Sequence, residues 1–153
     1  MLGWNGFGDH RWTIASWNCC TNGTVTHTDP AAVSPGDEIV GEMYSLCGAG
    51  VSDCANWRII TQDTTNGQTT TLDNTSPQGS LRWVFGGVLE VYSVDTCNQL
   101  PPEGQTQFYG VTVWDTNGNT LSPPWQGGYA SSSITPQCNY NLAADASNVY
   151  LYY

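Results

Sequence analysis

Apolar and polar positions alternate with a period of two through much of this chain. No segment keeps the roughly 3.6-residue period of an amphipathic helix. The clearest case is Val88–Val94. In an extended strand, Leu89, Val91 and Ser93 fall on one face, and Val88, Glu90, Tyr92 and Val94 on the other. Similar alternation predicts strands over Trp12–Cys20, Thr24–Thr28, Glu38–Leu46, Trp57–Gln62, Thr69–Leu72, Gln107–Trp114, Thr120–Leu121 and Val149–Tyr153, with a weaker one over Ser133–Asn139. Leu81–Phe85 reads as an extended approach to the central strand, and Gly86-Gly87 as a bulge or close backbone contact. Turn chemistry separates these runs at Asn22-Gly23, Pro35-Gly36-Asp37, Asn66-Gly67 and Asn117-Gly118.

The remaining stretches read as irregular: Met1–His10, Asp73–Ser80, Asn98–Gly104 and Pro123–Tyr129, with at most one helical turn at Ala143–Ala146. Many short strands with frequent turns predict an all-β antiparallel fold, a two-sheet sandwich or jelly roll, in one domain spanning residues 1–153.

Charge narrows the partners. Lys and Arg total 3 against 13 Asp and Glu, a net charge of −10. Nucleic-acid backbones and anionic membranes would repel such a chain, and no apolar run is long enough to cross a bilayer. With only 10 % of residues charged, the surface is mostly neutral polar and has few salt bridges to lose in acid.

Six cysteines (Cys19, Cys20, Cys47, Cys54, Cys97 and Cys138) without a CxxC pair read as disulfides of a secreted, extracellular protein. The spacing does not suit zinc, and only His10 and His27 could assist, so neither a metal nor any other cofactor is expected. Cys47 with Cys54 closes a short Gly-containing loop, and Cys97 with Cys138 is a second pairing among the alternatives. Adjacent Cys19 and Cys20 point to opposite strand faces or share a turn. The start Met1-Leu2-Gly3-Trp4 has neither a basic nor an apolar leader region, so a mature or shortened chain is expected.

Catalytic motifs are few. Neither histidine lies near a nucleophile elbow, and phosphate-cradling Gly loops are absent. Asp37 and Glu38 follow a turn and read as solvated. Glu42 and Glu90 sit mid-strand, each followed two residues on by Tyr44 or Tyr92. A strand carboxylate costs several kcal/mol if buried unpaired, so Glu90 must be solvated, hydrogen-bonded or chemically employed. Trp12, Trp17, Trp57, Trp83 and Trp114 suit a sandwich core, and Trp12 and Trp17 also serve as substrate-wall candidates. Trp4 and Trp125, in Gly-rich stretches, suit a binding surface. Asn22-Gly23-Thr24 and Asn74-Thr75-Ser76 are glycosylation sequons.

Three stretches resemble the glutamic peptidases, the eqolisin family. Trp12–Cys20 followed by Val33-Ser34-Pro35-Gly36-Asp37-Glu38-Ile39 resembles the family's aromatic strand and its Gly-Asp-x-Ile segment. Trp57-Arg58-Ile59-Ile60-Thr61 with Thr64-Thr65-Asn66-Gly67-Gln68 resembles its next hairpin. Leu89-Glu90-Val91-Tyr92, then Phe108-Tyr109-Gly110-Val111-Thr112-Val113, resembles the strand carrying the catalytic glutamate and the one after it.

The resemblance implies a concanavalin-like sandwich of two curved antiparallel sheets and acid endopeptidase chemistry. Glu90 would act as general base and then as acid, and a glutamine would orient the water and bind the oxyanion. That glutamine does not carry over, because the first Gln of this chain is Gln62, and the family's first strands also lack a counterpart.

Three functions follow. The first is a glutamic-peptidase-like hydrolase that uses Glu90 with a polar partner from elsewhere. The second is a noncatalytic module binding glycans or peptides on its aromatic face. The third is a glycan-cleaving enzyme pairing Glu90 with Glu42 about 5 to 10 Å apart. Trp4, Trp12, Trp17, Glu42, Tyr44, Tyr92 and Trp125 are the expected substrate-binding residues. A partner chain or a second copy of this chain is expected to complete the open sheet edge.

Overall fold

The computed structural model describes residues 2–5, 11–18, 25–75, 86, 88, 94–128 and 133–153. Among them every strand pairing is antiparallel, in five small sheets, and there is no α-helix. The fold is all-β. The chain forms two compact units, Met1–Arg82 and Trp83–Tyr153.

In the first unit, β1 (Leu2–Asn5), β2 (Arg11–Ile14) and β5 (Ala31–Ala32) form one sheet, and β3 (Trp17–Asn18) with β4 (Thr26–His27) a short ribbon. The expectation of an irregular start is corrected, because Leu2–Asn5 pairs with β2, Trp4 opposite Trp12. Gly3 and Asn5 have poor strand propensity, so the pairing and not the local sequence makes this strand. The single strand expected over Trp12–Cys20 is interrupted at Ala15 and Ser16.

The interruption has a cause in Ser16, which is fully buried. Its backbone N–H donates to Thr28 Oγ1 at 3.1 Å, and its carbonyl accepts from Thr28 N at 3.1 Å. Its hydroxyl donates to the Thr70 carbonyl at 2.9 Å and lies 3.3 Å from Thr61 Oγ1. The segment is thereby tied to the second sheet of this unit, β6 (Ile39–Ser45), β7 (Asn56–Asp63) and β8 (Thr69–Thr75). Burying a serine is tolerable because each of these polar groups finds a partner. Ser16→Ala removes the donor to a buried carbonyl, and we expect a loss of about 1 to 3 kcal/mol in urea unfolding. A change within error would mean that the network contributes nothing.

β6 and β7 fall where the sequence predicts strands, but β6 is exposed on both faces from Val40 through Tyr44, and β8 runs past the expected Leu72 to Thr75. The Asn66-Gly67 turn is wider than a two-residue hairpin. Asp63 faces Gln68 across a loop closed by Asp63 N to Gln68 O at 2.8 Å and Gly67 N to Asp63 O at 2.9 Å. Gly67 has φ +82°, where a side chain is strained. The buried Asp63 carboxylate accepts from Thr65 N and Asn66 N, which holds the loop open.

In the second unit, β9 (Gln105–Phe108), β13 (Val149–Tyr152) and β12 (Asn141–Ala144) form a sheet in the order β12-β13-β9, and β10 (Val113–Trp114) pairs with β11 (Thr120–Leu121). The expected strand Gln107–Trp114 is therefore divided. Gly110 takes φ +65° between its halves, and Val111 N donates to Ser147 O at 2.8 Å. Ser133–Asn139 forms no strand. Residues near Ala143 are strand and not a helical turn, because β12 pairs with β13 over its full length.

Among the described residues the buried apolar set is small: Ile14, Ala15 and Cys54 in the first unit, Cys138, Val149 and Leu151 in the second. The expectation of core tryptophans fails for two of them. Trp12 is 38 % exposed and Trp114 60 % exposed. Trp17 and Trp57 are half-buried, and Trp83 lies outside the described residues. Disulfides join Cys47 to Cys54 and Cys97 to Cys138, both as read from the sequence, and they fit an oxidising, extracellular setting. Cys19 and Cys20 lie outside the described residues, as does Asn22-Gly23-Thr24.

Two aspartates organise the turns of the second unit. Asp115 is held below the ordinary carboxylate range by the side-chain and backbone donors of Asn119, and Asp145 by Ser147 N and the Asn148 amide. A folded-state pKa below the unfolded one stabilises above the unfolded value, about 3.9, and that stabilisation is lost as pH falls through the folded value. The melting temperature should hold from neutrality to about pH 4 and then drop. In the variant Asp115→Ala with Asp145→Ala it should start lower and fall less steeply in acid. An acid limb of unchanged slope would reject this origin.

Candidate functional site

The candidate catalytic strand carries Glu90 and Tyr92, and both lie outside the described residues, as does the approach Leu81–Phe85. Its two ends are described. Gly86 precedes it, Val88 is 51 % exposed, and Val94 and Asp95 lead to Cys97. Gly86 lies under the Trp125 indole and beside Val149. A Cβ there would sit 3.1 Å from Val149 Cγ2 and 3.3 Å from Trp125 Cδ2 and Cε2. Only glycine lets the ring lie this close without displacement.

The loop that carries Trp125 is fixed from below. Trp125 Nε1 donates to Ala146 O at 3.3 Å, within the β12–β13 turn that Asp145 organises. Two residues on, Gly127 lies against Leu142 of β12, where a Cβ would come within 2.6 Å of Cδ1. Leu142 is opposite Leu151, and Ala144 opposite Val149, so this loop covers the face of the hairpin that includes its buried residues. Trp125 thus lies on Gly86, four residues before Glu90 in the chain. The close backbone contact expected at Gly86-Gly87 is met at Gly86, with Trp125 and Val149 as its partners.

In the first unit, Glu42 and Tyr44 lie on one face of β6, exposed, with Ile60 and Arg58 directly across on β7. Tyr44 is engaged by Arg58, whose guanidinium carbon is 6.0 Å from the ring centroid and whose Nη1 donates to the hydroxyl at 3.4 Å. The same guanidinium grips Asp73 on β8 through Nε to Oδ1 and Nη2 to Oδ2 at 2.7 Å. Asp73 is held below the ordinary carboxylate range by this contact, and Arg58 is raised further.

Trp17 stacks on His27 with centroids 4.4 Å apart and planes 25° from parallel. His27 Nδ1 is 2.9 Å from the Thr28 carbonyl and donates to it. Trp12 is exposed on β2, with Trp4 as its register partner. The structure therefore gathers the candidates into small groups: Glu42 with Tyr44, Trp4 with Trp12, Trp17 with His27, and Trp125 with Gly86. The separation between Glu42 and Glu90 lies outside the described residues.

A cavity of about 480 Å³ opens beside the Cys97–Cys138 disulfide, against Leu100, Pro101, Asn139 and Tyr153. Among the described residues that line it there is no Asp, Glu or His side chain.

No protein-family profile matches this chain, and no curated protein sequence does. Among solved structures it is similar to the crystal structure of aspergilloglutamic peptidase from Aspergillus niger. The TM-score is 0.58 at 14 % sequence identity, over 99 % of this chain and 85 % of that one. At this identity the likeness concerns the fold. The chain has an all-β fold resembling that of a glutamic peptidase.

Proposed function

We propose that this chain is a secreted, glutamic-peptidase-like β-sandwich protein that cleaves polypeptides in acid with Glu90 as general base. The fold likeness to aspergilloglutamic peptidase carries this reading. The segment Leu89-Glu90-Val91-Tyr92 supports it by supplying an acid where the resemblance expects one. Trp125 packs on Gly86, four residues before Glu90 in the chain, so Trp125 would form one wall of the groove.

In the proposed reaction Glu90 takes a proton from the attacking water as the tetrahedral oxyanion forms, then returns it to the departing amine. A polar donor must stabilise the oxyanion. The resemblance matches no residue of this chain to the family's glutamine, so the donor would be another polar side chain or one supplied by a partner. The expected result is cleavage of an unfolded protein substrate near pH 4, with fragments seen by mass spectrometry and little cleavage at neutral pH. Absence of cleavage at any pH would reject the reading.

The exposure of Trp12 and Trp114 and the Trp17–His27 stack favour a second reading, a noncatalytic module that stacks sugars or peptide side chains. It predicts glycan or peptide retention that survives Glu90→Gln and weakens on Trp12→Ala or Trp114→Ala. A blank glycan array together with no peptide retention would end it.

A further inference from the structure

Among the described residues the outer edge of β6 is an open pairing surface, and its backbone register can be read from its partner. Leu46 N donates to Asn56 O at 2.8 Å, and Thr64 N to Glu38 O at 2.9 Å. The Leu46 N–H and the Glu38 carbonyl therefore point toward the β7 side, and on the same register so do the backbone groups of 40, 42 and 44 between them. The N–H and C=O groups of Ile39, Gly41, Met43 and Ser45 point the other way. Among the described residues no strand pairs with that edge.

The edge is also exposed, from Val40 through Tyr44, and a Cβ built on Gly41 would meet nothing within 4 Å. Edge strands of soluble proteins are commonly blunted by Lys, Pro or a bulge. This one is seven residues long, contains neither Lys nor Pro, and pairs with β7 in an unbroken register. Its only charge is Glu42. The opposite edge of the same sheet, β8, carries Asp73 in its ion pair with Arg58 and threonines at 69 and 71.

We propose that β6 pairs antiparallel with β6 of a second copy of this chain, about a two-fold axis at Met43. Self-complementarity of the edge argues for a second copy, and charge bears on the register. An axis at Glu42 would set two carboxylates directly opposite, which is destabilising. An axis at Met43 instead sets Glu42 of each copy opposite Tyr44 of the other. The Tyr44 hydroxyl and the Arg58 guanidinium behind it then face the carboxylate. Gly41 faces Ser45, so no bulky side chain obstructs the approach, and residues 41, 43 and 45 of each strand exchange backbone hydrogen bonds. The paired strands join two three-stranded sheets into one continuous sheet. This inference does not depend on the peptidase reading.

The test is sedimentation analysis of the whole chain at neutral pH over a wide concentration range, with and without added salt. The wild type should reach twice its 16.6 kDa monomer mass. Salt should favour the dimer by screening the net charge of −10 on each copy. Gly41→Pro removes an outward N–H and leaves the β6–β7 ladder intact, and Met43→Lys places like charges at the axis. Both variants should remain monomeric at every concentration while keeping the wild-type far-UV spectrum. If one misfolds, the other still reports. A wild type that stays monomeric throughout overturns the proposal, as does a dimer that persists in every folded variant. Amide protection at residues 41, 43 and 45 that appears only on adding an unrelated extended peptide would assign the edge to a foreign strand, and also overturns it.

Discussion

Glu90→Gln should lower the rate of acid polypeptide cleavage by about a hundred- to ten-thousandfold, the range spanned by a positioned general acid–base. The amide is nearly isosteric with the carboxylate but cannot accept the proton of the attacking water, and it has none to give the leaving amine. Substrate contacts are little altered, so kcat should fall while KM stays within a few fold. Trp125→Ala should do the reverse. It removes a wall without touching the proton relay, so KM should rise more than kcat falls, although the loop over β12 and β13 must first be shown to remain folded. A Glu90→Gln protein that cleaves at the wild-type rate would remove Glu90 from the mechanism, and the fold likeness would then carry no chemistry. If kcat and KM changed together for Trp125→Ala, its place would be structural.

The second large effect concerns the disulfides. Because the buried apolar set among the described residues is small, covalent restraint of the unfolded chain weighs more than usual. Cys97–Cys138 spans 41 residues and Cys47–Cys54 only 7. Loop-closure entropy grows with the logarithm of loop length, which assigns about 4 kcal/mol to the first bridge and about 2 kcal/mol to the second. Domain stabilities commonly run from about 5 to 15 kcal/mol, so Cys97→Ala with Cys138→Ala should remove from about a quarter to most of the stability, read as a large drop in the urea midpoint. Cys138 is also buried, and its truncation adds a cavity. Cys47→Ala with Cys54→Ala should stay folded with a measurably lower urea midpoint. Equal losses in the two double variants, or a larger one for the short loop, would show that the bridges act through native-state contacts instead.

Legibility in the sequence followed the range of the interactions involved. The hairpin of β6 and β7 was readable because alternation is local. Ile39, Gly41 and Met43 share a face whatever else the chain does. The Asn66-Gly67 turn was also readable, and its greater width moved the β7–β8 register by two residues. That shift leaves every side chain on its expected face. By contrast, Asn22-Gly23 as a two-residue turn would set Trp17 opposite Thr28, whereas Trp17 faces His27. A shift of one residue brings the indole and imidazole together. Nothing in the local pattern specifies it.

The candidate site divides in the same way. Glu90 stood out in the sequence because a carboxylate among Val, Leu and Tyr needs a reason, and Gly86-Gly87 marked where a backbone could be approached. Residue types and spacing by themselves determined that the chain is all-β, that Cys47 could close a loop to Cys54, and that few charges are present to form salt bridges. The tertiary structure decided which side chains meet. It ended the second strand at Ile14 because Ser16 bonds Thr28, Thr61 and Thr70, residues 12 to 54 positions away. It left Trp12 and Trp114 exposed where their size had argued for a core, and it laid Trp125 on Gly86. Those outcomes depend on which sheet or loop covers a given face. Such coverage is a contact between segments distant in sequence, and no alternation along one strand encodes it.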